Sequence, residues 1–199
     1  MNSGARVWNL PNALSLFRVA LIPAILYLLT DEGRCAAAAA AGVFFLACLS
    51  DFFDGYFARR SGRTTTLGKY LDPLADKLIV AVVLIMLVGM DREPRVAPWM
   101  VAVIVARELA VTGLRAIASS EGLTVGAEEL GKYKMIFQMF ALHGLLIHYA
   151  YGPAEFFRVD FHAAGMVFLW VAMLVSLWSG ADYHVRVIGM LAARWREAS

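Results

Sequence analysis

The chain has 199 residues, 60% of them hydrophobic and 17% charged, with a formal net charge of +2. One domain fits that length, but the apolar share and a mean hydropathy of +0.64 exclude an ordinary soluble globule. The charges are scattered, and without a basic block nothing points to a nucleic-acid partner.

The first ten residues contain Arg6 but no apolar run or cleavage site before Pro11, which argues against a signal peptide. Six apolar stretches then approach the roughly 20 residues that cross a bilayer, at 13–30, 35–57, 71–90, 98–119, 132–151 and 161–181. The expected fold is therefore an all-α integral membrane protein of six transmembrane helices, a single domain over 1–199. A short interfacial segment, 1–12, precedes the spans and a cytoplasmic tail, 182–199, follows them. Trp8 and Trp195 read as interfacial anchors. The alanine run 36–41 either lets helices approach closely or simply fills a span. Cys35 and Cys48, roughly 20 Å apart along one helix, are too distant for a disulfide and read as buried thiols.

An even number of spans puts both termini on one side. Arg6, Arg59, Arg60, Arg63, Lys69, Lys132, Lys134, Arg186, Arg194 and Arg196 fall there or at its edge. The opposite loops hold Arg34, Arg92, Arg95 and Arg158 among acidic residues. That Lys/Arg bias places the termini, and the connection between the second and third spans, on the cytoplasmic face.

At that connection stand Asp51, Asp54, Asp72 and Asp76. A carboxylate deep in a bilayer costs about 2.5–3.5 kcal/mol, so four together require compensation. Two dications would cancel their formal charge, and hard oxygen ligands suit Mg²⁺, Mn²⁺ or Ca²⁺ rather than Zn²⁺. On helices, Asp51, Asp54, Gly55 and Ala58 form one stripe, and Gly68, Asp72 and Asp76 another. If the stripes face each other, the carboxylates converge beside small residues that leave room for a polyanionic ligand, in a polar cavity. Two bridged metals about 3.5–4 Å apart are a recurrent device for phosphoryl displacement. Asp72-Pro73 means that the third helix begins or bends there. The competing reading is a permeation or proton-relay site in a divalent-cation transporter or channel.

The spacing D-x2-D-G-x2-A-R-x8-G-x3-D-x3-D is matched at every defined position from Asp51 through Asp76. It resembles the signature of the CDP-alcohol phosphotransferases, membrane enzymes of phospholipid synthesis. The resemblance implies six spans, a CDP-linked donor, a homodimer, and two divalent cations, Mg²⁺ or Mn²⁺, held by Asp51, Asp54, Asp72 and Asp76. It implies that an acceptor hydroxyl attacks the donor β-phosphate and expels CMP, with Asp76 as the base. Gly55, Ala58, Arg59 and Gly68 would border the nucleotide, and a cation path gains nothing from Arg59.

Further segments resemble the phosphatidylglycerophosphate synthase branch of that family in bacteria. They are the stretch 9–19 with Asn12, Ser15 and Arg18, the AREL segment 106–109 followed by Arg115, and GKYK at 131–134. That likeness implies transfer from CDP-diacylglycerol to glycerol 3-phosphate in a bacterial inner membrane. Asn12 and Arg18 would help hold the donor diphosphate, unless Arg18 simply snorkels.

The residues themselves agree with an anionic acceptor. Arg107 lies near mid-span, where an unpaired cation is expensive, and is expected to face the polar cavity. Arg115, Lys132 and Lys134 can cradle a phosphate. The plainer alternative makes Lys132 and Lys134 positive-inside anchors and pairs Arg107 with Glu108 or an aspartate. Inositol phosphate, serine and phosphatidylglycerol remain as other acceptors. His143 and His148 have no Cys or His at metal spacing, so packing or a local hydrogen bond is expected of them; Trp99, Trp170 and Trp178 read as interfacial or packing aromatics.

Overall fold

A computed structural model of the chain describes residues 10–61, 66–123, 129–151 and 159–198. Side chains are described there except at positions 10, 11, 54–61, 66–70, 72, 129, 130, 151, 195, 197 and 198. The described residues form six helices: α1 (Leu10–Leu28), α2 (Arg34–Ser61), α3 (Thr66–Gly89), α4 (Pro98–Ser120), α5 (Glu129–Ile147) and α6 (Phe161–Ala198). A minimal antiparallel pair, β1 (Ala150–Tyr151) and β2 (Val159–Asp160), joins α5 to α6 with Ala150 opposite Asp160. Contacts divide the chain into two compact units, Met1–Arg95 with Leu142–His162, and Val96–Ala141 with Ala163–Ser199.

In the first unit α1 packs against both α2 and α3. Ala37, Ala40, Ala41, Phe44 and Ala47 make the buried face of α2, while Ala38 and Ala39 are exposed. The alanine run therefore supplies a low-profile packing surface, the first of the two readings open from sequence. Outward side chains are large and apolar: Phe45, Leu46, Phe52 and Phe53 on α2 are all exposed. On α1 the buried positions include Asn12, Ser15 and Arg18 while Leu16 and Phe17 are exposed. Polar inside and apolar outside suits a lipid solvent, where polar groups must be satisfied internally. By length and composition, two described helical stretches suffice to cross a membrane, Arg34–Phe53 and Phe161–Arg194.

The loops of the first unit are stitched by hydrogen bonds to Asp31 and Glu32. Arg92 donates to the Asp31 carbonyl at 3.0 Å, the Asp91 N–H to Glu32 Oε1 at 2.9 Å, and the Tyr149 hydroxyl to the Glu32 carbonyl. His148, inside the stretch expected to span at 132–151, lies in the loop past the end of α5 at Ile147, with a positive φ of 62°. Its Nε2 meets the Glu93 carbonyl at 3.2 Å and its Nδ1 meets His162 Nδ1 at 3.1 Å. Two ring nitrogens bond only if one imidazole donates and the other accepts. His143 instead packs against the ring of Phe44, tilted by 55° at 5.0 Å between centroids. Both histidines thus take the packing or hydrogen-bonding roles expected of them.

Burial, aided by Arg92, holds the His148 imidazole below its ordinary pKa against the opposing pull of the Glu93 carbonyl, Asp160 and Glu32. The unfolded chain then binds more protons near pH 6, so this contribution to stability is present above the unfolded pKa and is lost as pH falls through the folded one. His148→Asn, which tolerates the same backbone conformation, is expected to lose less thermal stability than the parent between about pH 7.5 and 5.5. Melting in detergent at the two pH values checks this.

In the second unit, Val111 and Ala118 of α4 and Tyr183, Val187 and Leu191 of α6 form a buried cluster. Gly122, with φ at +70°, ends α4: its N–H bonds the Ser119 carbonyl at 3.0 Å and the Leu123 N–H the Ala118 carbonyl at 2.8 Å. That positive φ is cheap only for glycine, and it turns Leu123 onto the cluster. Trp99 and Trp170 pack edge to face at 5.5 Å, as expected of aromatic packing.

Several boundaries differ from the expected ones. The last span was to end at 181, but α6 continues to Ala198, because Tyr183, Val187 and Leu191 recur every four residues and bury one face. The third helix starts at Thr66, so Pro73 lies inside it rather than at its beginning. Cys35 is exposed, not buried, because it falls on the outward side of the first turn of α2, whose buried positions are Ala36 and Ala37; Cys48 is partly buried. Of the interfacial segment 1–12, residues 1–9 lie outside the described residues, as does the Trp195 side chain.

Candidate active site

Three polar residues recurring every third position on α1 begin the site. Asn12, Ser15 and Arg18 are 2%, 1% and 1% exposed. A guanidinium is taken out of water only where a counter-charge meets it. Here the counter-charge is Asp51 of α2, whose Oδ1 lies 2.9 Å from Arg18 Nη2. Ser50, also buried, donates its hydroxyl to the Leu14 carbonyl at 3.3 Å and fastens this turn of α2 to α1. The sequence reading missed Ser50; a small polar residue preceding a motif aspartate in an apolar span was the available signal.

Asp76 belongs to α3, yet it and Asp51 both act electrostatically on the Cys48 thiol of α2, as does Arg18. Two of the four motif carboxylates thus share one neighbourhood with a buried cation. Asp54, Gly55, Ala58 and Arg59 belong to α2, and Gly68 and Asp72 to α3; their side-chain positions lie outside the described residues. Among the described side chains, which leave out Asp54 and Asp72, no three of His, Cys, Asp or Glu form a metal-holding group. The fit to a metal therefore rests on Asp51 and Asp76. Hard carboxylate oxygens from neighbouring helices, one already needing a cation, are the donors that Mg²⁺ and Mn²⁺ take.

The second unit holds the basic residues. On α4, Arg107 Nε donates to the Ser176 carbonyl at 2.7 Å and Nη2 to the Ser179 hydroxyl at 2.6 Å, both on α6. Its Nη1 lies 3.3 Å from Glu108 Oε2, and the same carboxylate oxygen accepts from Lys134 Nζ of α5. Thr112 hydrogen-bonds the Glu108 carbonyl at 2.7 Å. Arg107, Glu108 and Lys134 thus form one half-buried group in which two cations share one carboxylate.

Arg115 takes another place. Eight residues beyond Arg107, about 12 Å along the helix, it is exposed and lies over the Tyr183 ring at 5.7 Å. Lys132 is exposed near the start of α5. Of the four expected acceptor residues the structure therefore joins Arg107 and Lys134, through Glu108. The sequence reading gave no part to α6; the signal available was Ser176, Ser179 and Gly180, polar or small at helical spacing inside an apolar span.

Comparison with known proteins gives these features a context. A family model described as CDP-alcohol phosphatidyltransferase matches residues 8–178. The CDP-diacylglycerol–glycerol-3-phosphate 3-phosphatidyltransferase of Bacillus subtilis is 41% identical over 189 residues, covering 89% of this chain and 94% of that one. The protein of the same name from Rickettsia typhi is 37% identical, covering 88% and 94%. A cardiolipin synthase (CMP-forming) from rice is 34% identical over 92% of this chain and 58% of its own.

Proposed function

The chain belongs to the CDP-alcohol phosphatidyltransferase family, and on that premise we propose that it transfers the phosphatidyl group of CDP-diacylglycerol to sn-glycerol 3-phosphate, giving phosphatidylglycerophosphate and CMP. The observation that carries the acceptor is the 41% identity, spread over nine tenths of both chains, with a relative whose name states that reaction. The half-buried Arg107–Glu108–Lys134 group, which brings two cations of α4 and α5 onto one carboxylate, supports an anionic acceptor.

In this reading the hydroxyl of the acceptor attacks the β-phosphorus of the donor, a new P–O bond forms, and the bond to CMP breaks. Asp76 takes the hydroxyl proton. Two Mg²⁺ or Mn²⁺ ions held by Asp51, Asp54, Asp72 and Asp76 would neutralise the diphosphate and stabilise the leaving phosphate. Arg18, which meets Asp51, and Asn12 help hold the donor diphosphate, and Gly55, Ala58, Arg59 and Gly68 border the nucleotide. Arg107 and Lys134 orient the acceptor phosphate, with Arg115 and Lys132 adding positive potential along its approach. Positioning and charge stabilisation carry most of the work, since CMP leaves without strong acid assistance.

The same reading makes the chain a single multi-pass domain of six spans in a bacterial inner membrane. Its termini and polar cavity face the cytoplasm, in keeping with the Lys/Arg distribution. Association as a homodimer is part of it on the strength of the family resemblance.

A second reading, with phosphatidylglycerol as acceptor, draws on the rice relative. Purified protein given CDP-diacylglycerol and Mg²⁺ is expected to release CMP with glycerol 3-phosphate and not with inositol phosphate, serine or phosphatidylglycerol. Rapid CMP release with phosphatidylglycerol alone would transfer the assignment to the second reading.

A further inference from the structure

The guanidinium of Arg107 is seated in a notch of α6 made by a backbone carbonyl, a side-chain hydroxyl and a glycine. The Ser176 carbonyl accepts from Nε at 2.7 Å. One turn on, the Ser179 hydroxyl accepts from Nη2 at 2.6 Å while donating back to the Ser176 carbonyl at 3.3 Å, closing a ring of hydrogen bonds. Next comes Gly180, where an added Cβ would lie 2.9 Å from Arg107 Nε, 3.3 Å from Cγ and 3.6 Å from Cδ. The first distance is closer than real Cβ atoms come. Arg107 has no easy retreat, because moving Nε off the notch breaks its bond to the Ser176 carbonyl. Ser176 and Ser179 are 2% and 1% exposed, so water is a poor substitute for either partner.

A guanidinium donates in a fixed planar fork, so two bonds to one helix set both its place and its plane. Its third described partner is Glu108, which also holds Lys134. The orientation set on α6 is thereby passed to α4 and α5.

We propose that Ser179 and Gly180 are positioning residues for the acceptor subsite, forming an α6 notch that fixes the Arg107 guanidinium and through it the Glu108–Lys134 pair. This rests on the reading of Arg107 as an acceptor-phosphate residue. Neither residue touches substrate; both act through Arg107.

The test is a double-mutant cycle on the purified full chain, read as CMP release with CDP-diacylglycerol and glycerol 3-phosphate each varied. Gly180→Ala is expected to raise the acceptor KM about tenfold, within the coupling range of contacting residues, and to leave the CDP-diacylglycerol KM little changed. In an Arg107→Ala background the same substitution is expected to add almost nothing. Ser179→Ala repeats the pattern more mildly, and Ser179→Thr, which keeps the hydroxyl, restores the acceptor KM. If Gly180→Ala does not fold, the Ser179 pair carries the cycle alone. Additive effects with and without Arg107, or equal losses on both substrates, overturn the proposal. Parent protein that turns over with a different acceptor overturns the acceptor assignment instead, and the cycle is then read on that acceptor's KM.

Discussion

Asp76→Asn is expected to cut CMP release by about 10²–10⁴-fold, the contribution of a positioned general base, while CDP-diacylglycerol still binds. The substitution keeps the size and one oxygen donor of the side chain and removes its basicity. A base acts only in the transition state, so its loss falls on kcat rather than on donor affinity. The Asp51 carboxylate faces the Arg18 guanidinium at 2.9 Å. Asp76 stands on the neighbouring helix, within electrostatic reach of the same Cys48 thiol. Donor binding measured with labelled CDP-diacylglycerol, beside turnover on the same preparation, separates the roles. Equal loss of binding and turnover would make Asp76 chiefly a metal ligand and move the base elsewhere.

The site was legible in sequence wherever membrane physics leaves a polar residue one option. Asn12, Ser15 and Arg18 stand out by their family-like spacing, with snorkelling open for Arg18; at 1% exposed and paired with Asp51, Arg18 does not snorkel. The helical class followed from apolar length in the same way. Hydropathy was a poorer guide to where helices stop. It falls at Asp182, but α6 runs on because Tyr183, Val187 and Leu191 bury one face while Asp182 pairs with Arg186. Proline chemistry alone could not decide between a helix that begins at Asp72-Pro73 and one that contains it; α3 contains it.

The partner of Arg107 was the least legible feature. Local sequence offers Glu108, which does lie at 3.3 Å. The shorter bonds, however, go to Ser176 and Ser179, about seventy residues away. Nothing in the periodicity of α4 reports a carbonyl on α6; only the packing of the two helices supplies it. The missing Cβ of Gly180 has meaning for the same reason, through what lies against it.

Arg18→Met is expected to be the most destabilising single change in the first unit. Removing one partner of a buried ion pair costs about 3–5 kcal/mol. Asp51, at 28% exposed, keeps some solvent, which puts the loss near the lower end. That corresponds to a fall of roughly 10 °C in melting temperature for a chain of this size. The double variant Arg18→Met with Asp51→Asn removes both charges and is expected to recover much of the stability, because a neutral amide costs far less to bury than an unpaired carboxylate. It is not expected to recover activity, since both residues belong to the proposed donor and metal machinery. Mg²⁺ adds a discriminating readout: Arg18 competes with a dication for Asp51, so Mg²⁺ should raise the melting temperature of Arg18→Met more than that of the parent. Thermal melts in detergent, with chelator and with Mg²⁺, measure the stability changes, and CMP release measures the activity. An Arg18→Met protein as stable as the parent in chelator would mean that the guanidinium does not neutralise Asp51.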